Sequence, residues 1–240
     1  MIRADIESSE FRGSLLHART TILRHTRLKK ILYLHGFASS PAGRKVSALR
    51  GLLGADDFEI IAPDLNTPSF RRLDFDAIVR LAHWEAKRQQ PAVVVGSSLG
   101  ALAALEVSRR GANAPLFLIA PAIGFGKRWI ERLPPGDPVF FFHHAEGKEL
   151  PIHRRFFEQL ASLETDREPP AAPVVVAMGT RDESVPYEHV RQCWGEWERS
   201  GRLVAGSRFI EIPEGDHGLV EHVGTIAREM VSLASGASAT

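Results

Sequence analysis

Short β-branched and aliphatic runs alternate with stretches of helical spacing along most of this chain. Lys30–Leu34, Glu59–Pro63, Pro91–Val95, Pro115–Ala120, Pro173–Met178 and Arg208–Ile212 are such runs. Each is too short for a buried helix and predicts a strand. Phe75 to Arg88 instead places Phe75, Ile78, Val79 and Ala82 on one helical face. Strands that alternate with helices predict an α/β fold, a mostly parallel sheet with helices on both faces. Ligands of such sheets bind at the carboxyl ends of the strands, so the residues just after each run matter most.

Behind Pro91–Val95 comes Gly96-Ser97-Ser98-Leu99-Gly100, followed by the helix-forming Ala101–Glu106. A strand, a Gly-x-Ser-x-Gly turn and a helix together describe a nucleophile elbow with Ser98 at its apex. Shifting the pattern by one would put Val95 and Leu99 where glycines belong, so Ser97 reads as packed or hydrogen-bonded locally. The glycines are needed because strand and helix backbones approach closely around the turn.

A serine hydroxyl is a weak nucleophile without a base and a group to orient that base. Asp182 follows the strand Pro173–Met178 in Gly179-Thr180-Arg181-Asp182, and His217 follows the strand Arg208–Ile212 in Pro213-Glu214-Gly215-Asp216-His217. The order Ser98, Asp182, His217 is that of an α/β-hydrolase triad. Bland readings stand beside it: Asp182 also suits a helix N-cap near Pro186, Glu183 is a rival acid, and Asp216 suits a turn. The strand Lys30–Leu34 delivers His35-Gly36-Phe37 to the same sheet edge. Backbone N–H groups of Phe37 and Leu99 are the expected oxyanion donors. His35 is read as a loop-organising group, with the role of a second base as the alternative.

Leu32–Phe37 with Ser39-Ser40-Pro41, then Val95–Gly100, Pro121-Ala122, Gly179–Asp182 and Gly215–His217 together resemble the small esterase-like branch of the α/β-hydrolase superfamily called the YqiA type. The resemblance covers about residues 30 to 232 and implies a serine hydrolase with Ser98, Asp182 and His217 in the three catalytic roles. Ala101 departs from it, standing where such proteins often carry a further glycine. The expected substrate is a small-molecule carboxylic ester of short to medium acyl chain. A thioester, or a binding role without turnover, is the alternative.

Residues 30–232 are expected to form one hydrolase domain, with a cap insert at about 123–172. Residues 1–29 read as an extension or edge hairpin and 233–240 as a flexible tail. The insert is rich in aromatics, and Phe125 and Trp129, just past a strand end, are the candidate substrate walls; Phe140 and Phe142 are expected to pack the cap onto the sheet.

Thirty Lys and Arg against 29 Asp and Glu give a net charge of +1, which argues against nucleic acid or an anionic membrane as partner. One cysteine, Cys193, excludes an internal disulfide and suits a reducing compartment. Arg3, Asp5, Glu7 and Glu10 interrupt any apolar leader and no run is long enough to span a bilayer, so a cytoplasmic protein is expected. His143, His144 and His153 have no Cys beside them and no Glu at zincin spacing. Neither metal nor cofactor is expected, and the oligomeric state stays open.

Overall fold

The computed structural model describes residues 28–53, 57–144, 146–164 and 168–236. Six parallel strands form one sheet in the order β2-β1-β3-β4-β7-β8. Their ranges are β1 Lys29–Leu34, β2 Phe58–Ile61, β3 Val93–Ser97, β4 Leu116–Ile119, β7 Val174–Gly179 and β8 Arg208–Ile212. Every residue of β3, β4 and β7 is buried. Successive side chains of a strand point to opposite faces, so both faces of this sheet are covered, as the unbroken apolar runs require. The edge strands β2 and β8 are only partly buried.

Helices α1 (Arg44–Leu53), α2 (Phe75–Gln89), α3 (Leu99–Arg109), α6 (Tyr187–Arg199) and α7 (Val223–Ala234) connect or follow the strands. Helix α1 packs on α7, and α2 packs on α3. The expected apolar face of α2 is the buried one, extended by Ala86 and by Glu85, whose carboxylate is held by Arg88 and Gln89. Asp74 caps α2 by accepting the Ala77 N–H at 2.8 Å. Cys193 lies in α6 and is buried. The expected arm over 1–29 lies outside the described residues up to position 27, and Lys29 opens β1. Of the expected tail, Leu233 and Ala234 end α7, and 237–240 lie outside the described residues.

Strand β3 starts two residues later than its apolar run and ends two later, at Ser97. Gly96 pairs with Leu34 and Leu118, and Ser97 with Ile119, so the sheet carries the chain to the residue before Ser98. Pro91 has no N–H to give the ladder.

Between β4 and β7 the chain inserts helix α4 (Phe125–Glu131), an antiparallel hairpin of β5 (Val139–His143) and β6 (Lys148–Ile152), and helix α5 (Arg154–Ala161). Phe156, Phe157 and Leu160 bury one face of α5, and α4 packs closely against it. Gln159 ties α5 to the main body by accepting the Phe75 N–H at 2.9 Å. The hairpin is tied to the loop after β1 by the His144 N–H, which donates to the Ala38 carbonyl at 3.0 Å. Phe140 and Phe142 correct the expectation made for them: they are 59% and 51% exposed. A strand has period two, so with Val139 and His143 facing inward this run of phenylalanines must turn 140 and 142 outward.

Candidate active site

The carboxyl ends of β1, β3, β7 and β8 deliver four loops to one edge of the sheet. Ser98 stands between β3 and α3 with φ 53° and ψ −113°, a backbone state that L-residues rarely adopt. Two glycines make that turn possible. A Cβ on Gly96 would stand 2.5 Å from Ala101 Cα, and one on Gly100 would stand 2.1 Å from the Leu34 carbonyl oxygen.

His217 Nε2 lies 3.1 Å from Ser98 Oγ, and His217 Nδ1 lies 2.8 Å from Asp182 Oδ2. The second Asp182 oxygen accepts the N–H groups of Ser184 and Val185 at 2.9 and 2.8 Å. One carboxylate thus organises its own loop and faces the imidazole, with its side chain fully buried. Helix α6 begins after Pro186 without a side-chain cap, so Asp182 is no N-cap. Glu183 is exposed. Asp216 serves the turn, its carboxylate accepting the Leu219 N–H at 2.7 Å.

The loop after β1 is built around His35. Its Nε2 accepts the Leu65 N–H at 2.9 Å and its Nδ1 contacts the Gly36 carbonyl at 2.9 Å. Those partners demand a neutral ring with the proton on Nδ1, and burial lowers its pKa in the same sense. Asp64 Oδ1, 3.4 Å from Nε2, therefore faces a lone pair already engaged and makes no ion pair. Among the described residues, no protein acceptor takes the N–H of Phe37 or of Leu99.

Beside Ser98 opens a cavity of about 450 Å³, walled by the loop after β1, the start of α1 and the His217 loop. Phe125 and Trp129 do not line it. They belong to an aromatic cluster in which Trp129 stands 4.8 Å from Phe37 and 5.1 Å from Phe157 between ring centres. The three insert histidines go to separate partners: His143 packs on Phe70 and accepts the Glu146 N–H, His153 meets Asp137, and His144 reaches the cavity wall.

One lining residue escaped the reading of the sequence. Lys45 Nζ donates to Ser97 Oγ at 3.1 Å, and the Tyr33 hydroxyl bonds the same serine. Burial brings the Lys45 ammonium down to about 8 and raises the Tyr33 phenol. Its signal was Arg44-Lys45 opening α1 with no acidic residue in the first turn, against the usual charge preference of a helix N-terminus.

No curated protein sequence matches the chain. Solved structures with the same fold include a putative hydrolase from Agrobacterium vitis S4, with a TM-score of 0.68 and 20% identity over 86% of this chain and 88% of that one. Est1E from Butyrivibrio proteoclasticus superposes with a TM-score of 0.64 at 15% identity over 87% and 89%. A monoacylglycerol lipase from Paleococcus ferrophilus does so with 0.64 at 17% over 86% and 94%. The sequence model of one family spans residues 30–206, from β1 almost to β8, and with that match the chain belongs to the uncharacterised protein family UPF0227.

Proposed function

We propose that this protein is a serine hydrolase acting on carboxylic esters of short to medium acyl chain. The observation that carries the reading is the hydrogen-bonded relay from Ser98 through His217 to Asp182, at 3.1 and 2.8 Å, on the floor of an open cavity. His217 Nε2 takes the Ser98 proton as Oγ attacks the ester carbonyl, and Asp182 holds the proton on Nδ1 and stabilises the imidazolium. The N–H groups of Phe37 and Leu99 are the donors for the oxyanion, which is worth several kcal/mol of barrier. Collapse expels the alcohol, protonated by His217, and leaves an acyl-Ser98 ester. Water, deprotonated by His217, then releases the acid and restores Ser98.

The cavity size supports small acyl groups. The esterase and the lipase that share the fold support the reaction class at the level of architecture. The open cavity and the Ser98–His217 contact favour turnover over a binding-only role. Phe125 and Trp129 act here by holding Phe37 in place rather than by touching substrate. Hydrolysis of a p-nitrophenyl ester series from acetate to palmitate, run beside Ser98→Ala, tests the proposal. Turnover that peaks at short to medium chains and vanishes in the variant is expected. Equal rates in both proteins would overturn it.

A further inference from the structure

The fixed charges on the wall of the cavity beside Ser98 are of one sign: Lys45 and Arg44 line it, and no Asp or Glu does among the described residues. Lys45 is an ammonium with three N–H donors, and the Ser97 hydroxyl is its acceptor; it forms no ion pair among the described residues. Drawing an ammonium out of water is costly unless an anion or a full set of acceptors replaces the lost hydration. The start of α1 adds to the same field, because the first-turn N–H groups of a helix favour negative charge and disfavour the two cations placed there. Asp182 and Asp216 attract the Lys45 ammonium through space, but neither touches it, and Ser97 takes only one of its donors. An anionic ligand in the cavity would meet the donors that remain.

Resting on the hydrolase reading above, we infer that the substrate carries an anionic oxygen acid close to its scissile carbonyl, received by Lys45 on the wall of this cavity with Arg44 at its side. Lys45 is then a specificity-determining residue. Its contact to Ser97 fixes the ammonium next to the nucleophile's own strand, so the anion and the carbonyl are registered on one rigid element. Carboxylate and phosphate share the chemistry required. A carboxylate would sit on the acyl side of a dicarboxylic monoester, a phosphate on the leaving group.

The test compares matched pairs of substrates: p-nitrophenyl hemiglutarate against p-nitrophenyl valerate, and 1-butyrylglycerol 3-phosphate against 1-butyrylglycerol. Each pair is measured with the wild type, Lys45→Met and Lys45→Arg. In at least one pair kcat/KM is expected to favour the anionic member by about tenfold or more, as a charge-assisted hydrogen bond allows. That ratio collapses in Lys45→Met, through KM, and is restored in Lys45→Arg. The pair that shows it identifies carboxylate or phosphate as the anion. A merely structural lysine would lower both members of a pair alike and leave the ratio unmoved. No preference in either pair, or one that survives Lys45→Met, overturns the inference while Ser98-dependent turnover of valerate keeps the hydrolase reading intact. If no ester is turned over, calorimetric titration of the wild type and Lys45→Met with glutarate and with inorganic phosphate decides: Lys45-dependent binding supports the anion site, and its absence removes it.

Discussion

Asp182→Asn separates the two tasks of one carboxylate. Oδ1 accepts two loop N–H groups at 2.9 and 2.8 Å, while Oδ2 faces His217 Nδ1 at 2.8 Å. An asparagine can keep its oxygen on only one side. Turned toward His217, its NH₂ would meet two backbone donors, each left without an acceptor at about 1–3 kcal/mol. Turned toward the loop, it sets one NH₂ against Nδ1, which the imidazole accommodates by moving its proton to Nε2. The second arrangement prevails because it loses no acceptor. The ring then presents N–H, not a lone pair, to Ser98 Oγ, and general-base catalysis is lost. The matching loss in triad hydrolases is about 10⁴-fold in kcat, or about 5.5 kcal/mol of barrier. The fold keeps its loop bonds, so the melting temperature stays close to wild type. Asp182→Ala removes the acceptor of both loop N–H groups, and a loss of about 2 kcal/mol lowers the melting temperature by roughly 4–8 °C. The assay is kcat/KM on p-nitrophenyl butyrate together with thermal melts of the three proteins. An Asp182→Asn enzyme retaining more than about a tenth of wild-type activity would refute the tautomer argument.

Gly100→Ala puts a methyl 2.1 Å from the Leu34 carbonyl oxygen and 2.7 Å from that of His35, both backbone atoms. The variant is expected to lose about 3 kcal/mol or more, and a melting temperature within about 2 °C of wild type would sink the close-approach explanation. His35 makes stability depend on pH. Burial lowers its folded pKa below the ordinary 6.5, so the unfolded chain takes up the proton first as pH falls. Its contribution is complete above about pH 6.5 and declines below it. Urea midpoints at pH 7.5 and 5.5 should therefore diverge more in the wild type than in His35→Asn, and equal divergence would show that the Leu65 N–H bond does not select the neutral ring.

The centre of the sheet was legible because strands covered on both faces must be apolar at every position, and Val93–Val95, Leu116–Ile119 and Val174–Met178 satisfy that without interruption. Strand ends were less so. Gly96 and Ser97 continue β3 because their neighbours pair with them, which composition does not reveal. Ser98, Asp182 and His217 could be picked out because each follows a run that reads as a strand, and parallel topology sends those ends to one edge. Asp182 was open between cap and orienter, and its geometry shows why: the carboxylate has two oxygens and gives one to the loop and one to the imidazole. Phe125 and Trp129 were expected as substrate walls because they lie just past a strand end, but nearness in sequence does not say which way a ring faces: Trp129 packs on Phe37, and Phe125 on Trp129. The outward turn of Phe140 and Phe142 followed only once 139–143 was known to be a strand, since helical and extended spacing divide three consecutive phenylalanines differently.

The two adjacent serines show how far local pattern can reach. Pattern alone assigned Ser98 to the apex and read Ser97 as packed or hydrogen-bonded locally, because shifting the motif by one would put Val95 and Leu99 where glycines belong. Yet Ser97 is the acceptor for Lys45 and a partner of Tyr33, which come from α1 and β1. That junction depends on a separation of 52 residues between Lys45 and Ser97. The visible trace was a helix opened by two cations against its own dipole, and a broken local rule is where a function outside the fold should be sought. The proposed nucleophile was readable as a motif. The charge proposed for its substrate rests on a contact between elements, and so required the cavity in which they meet.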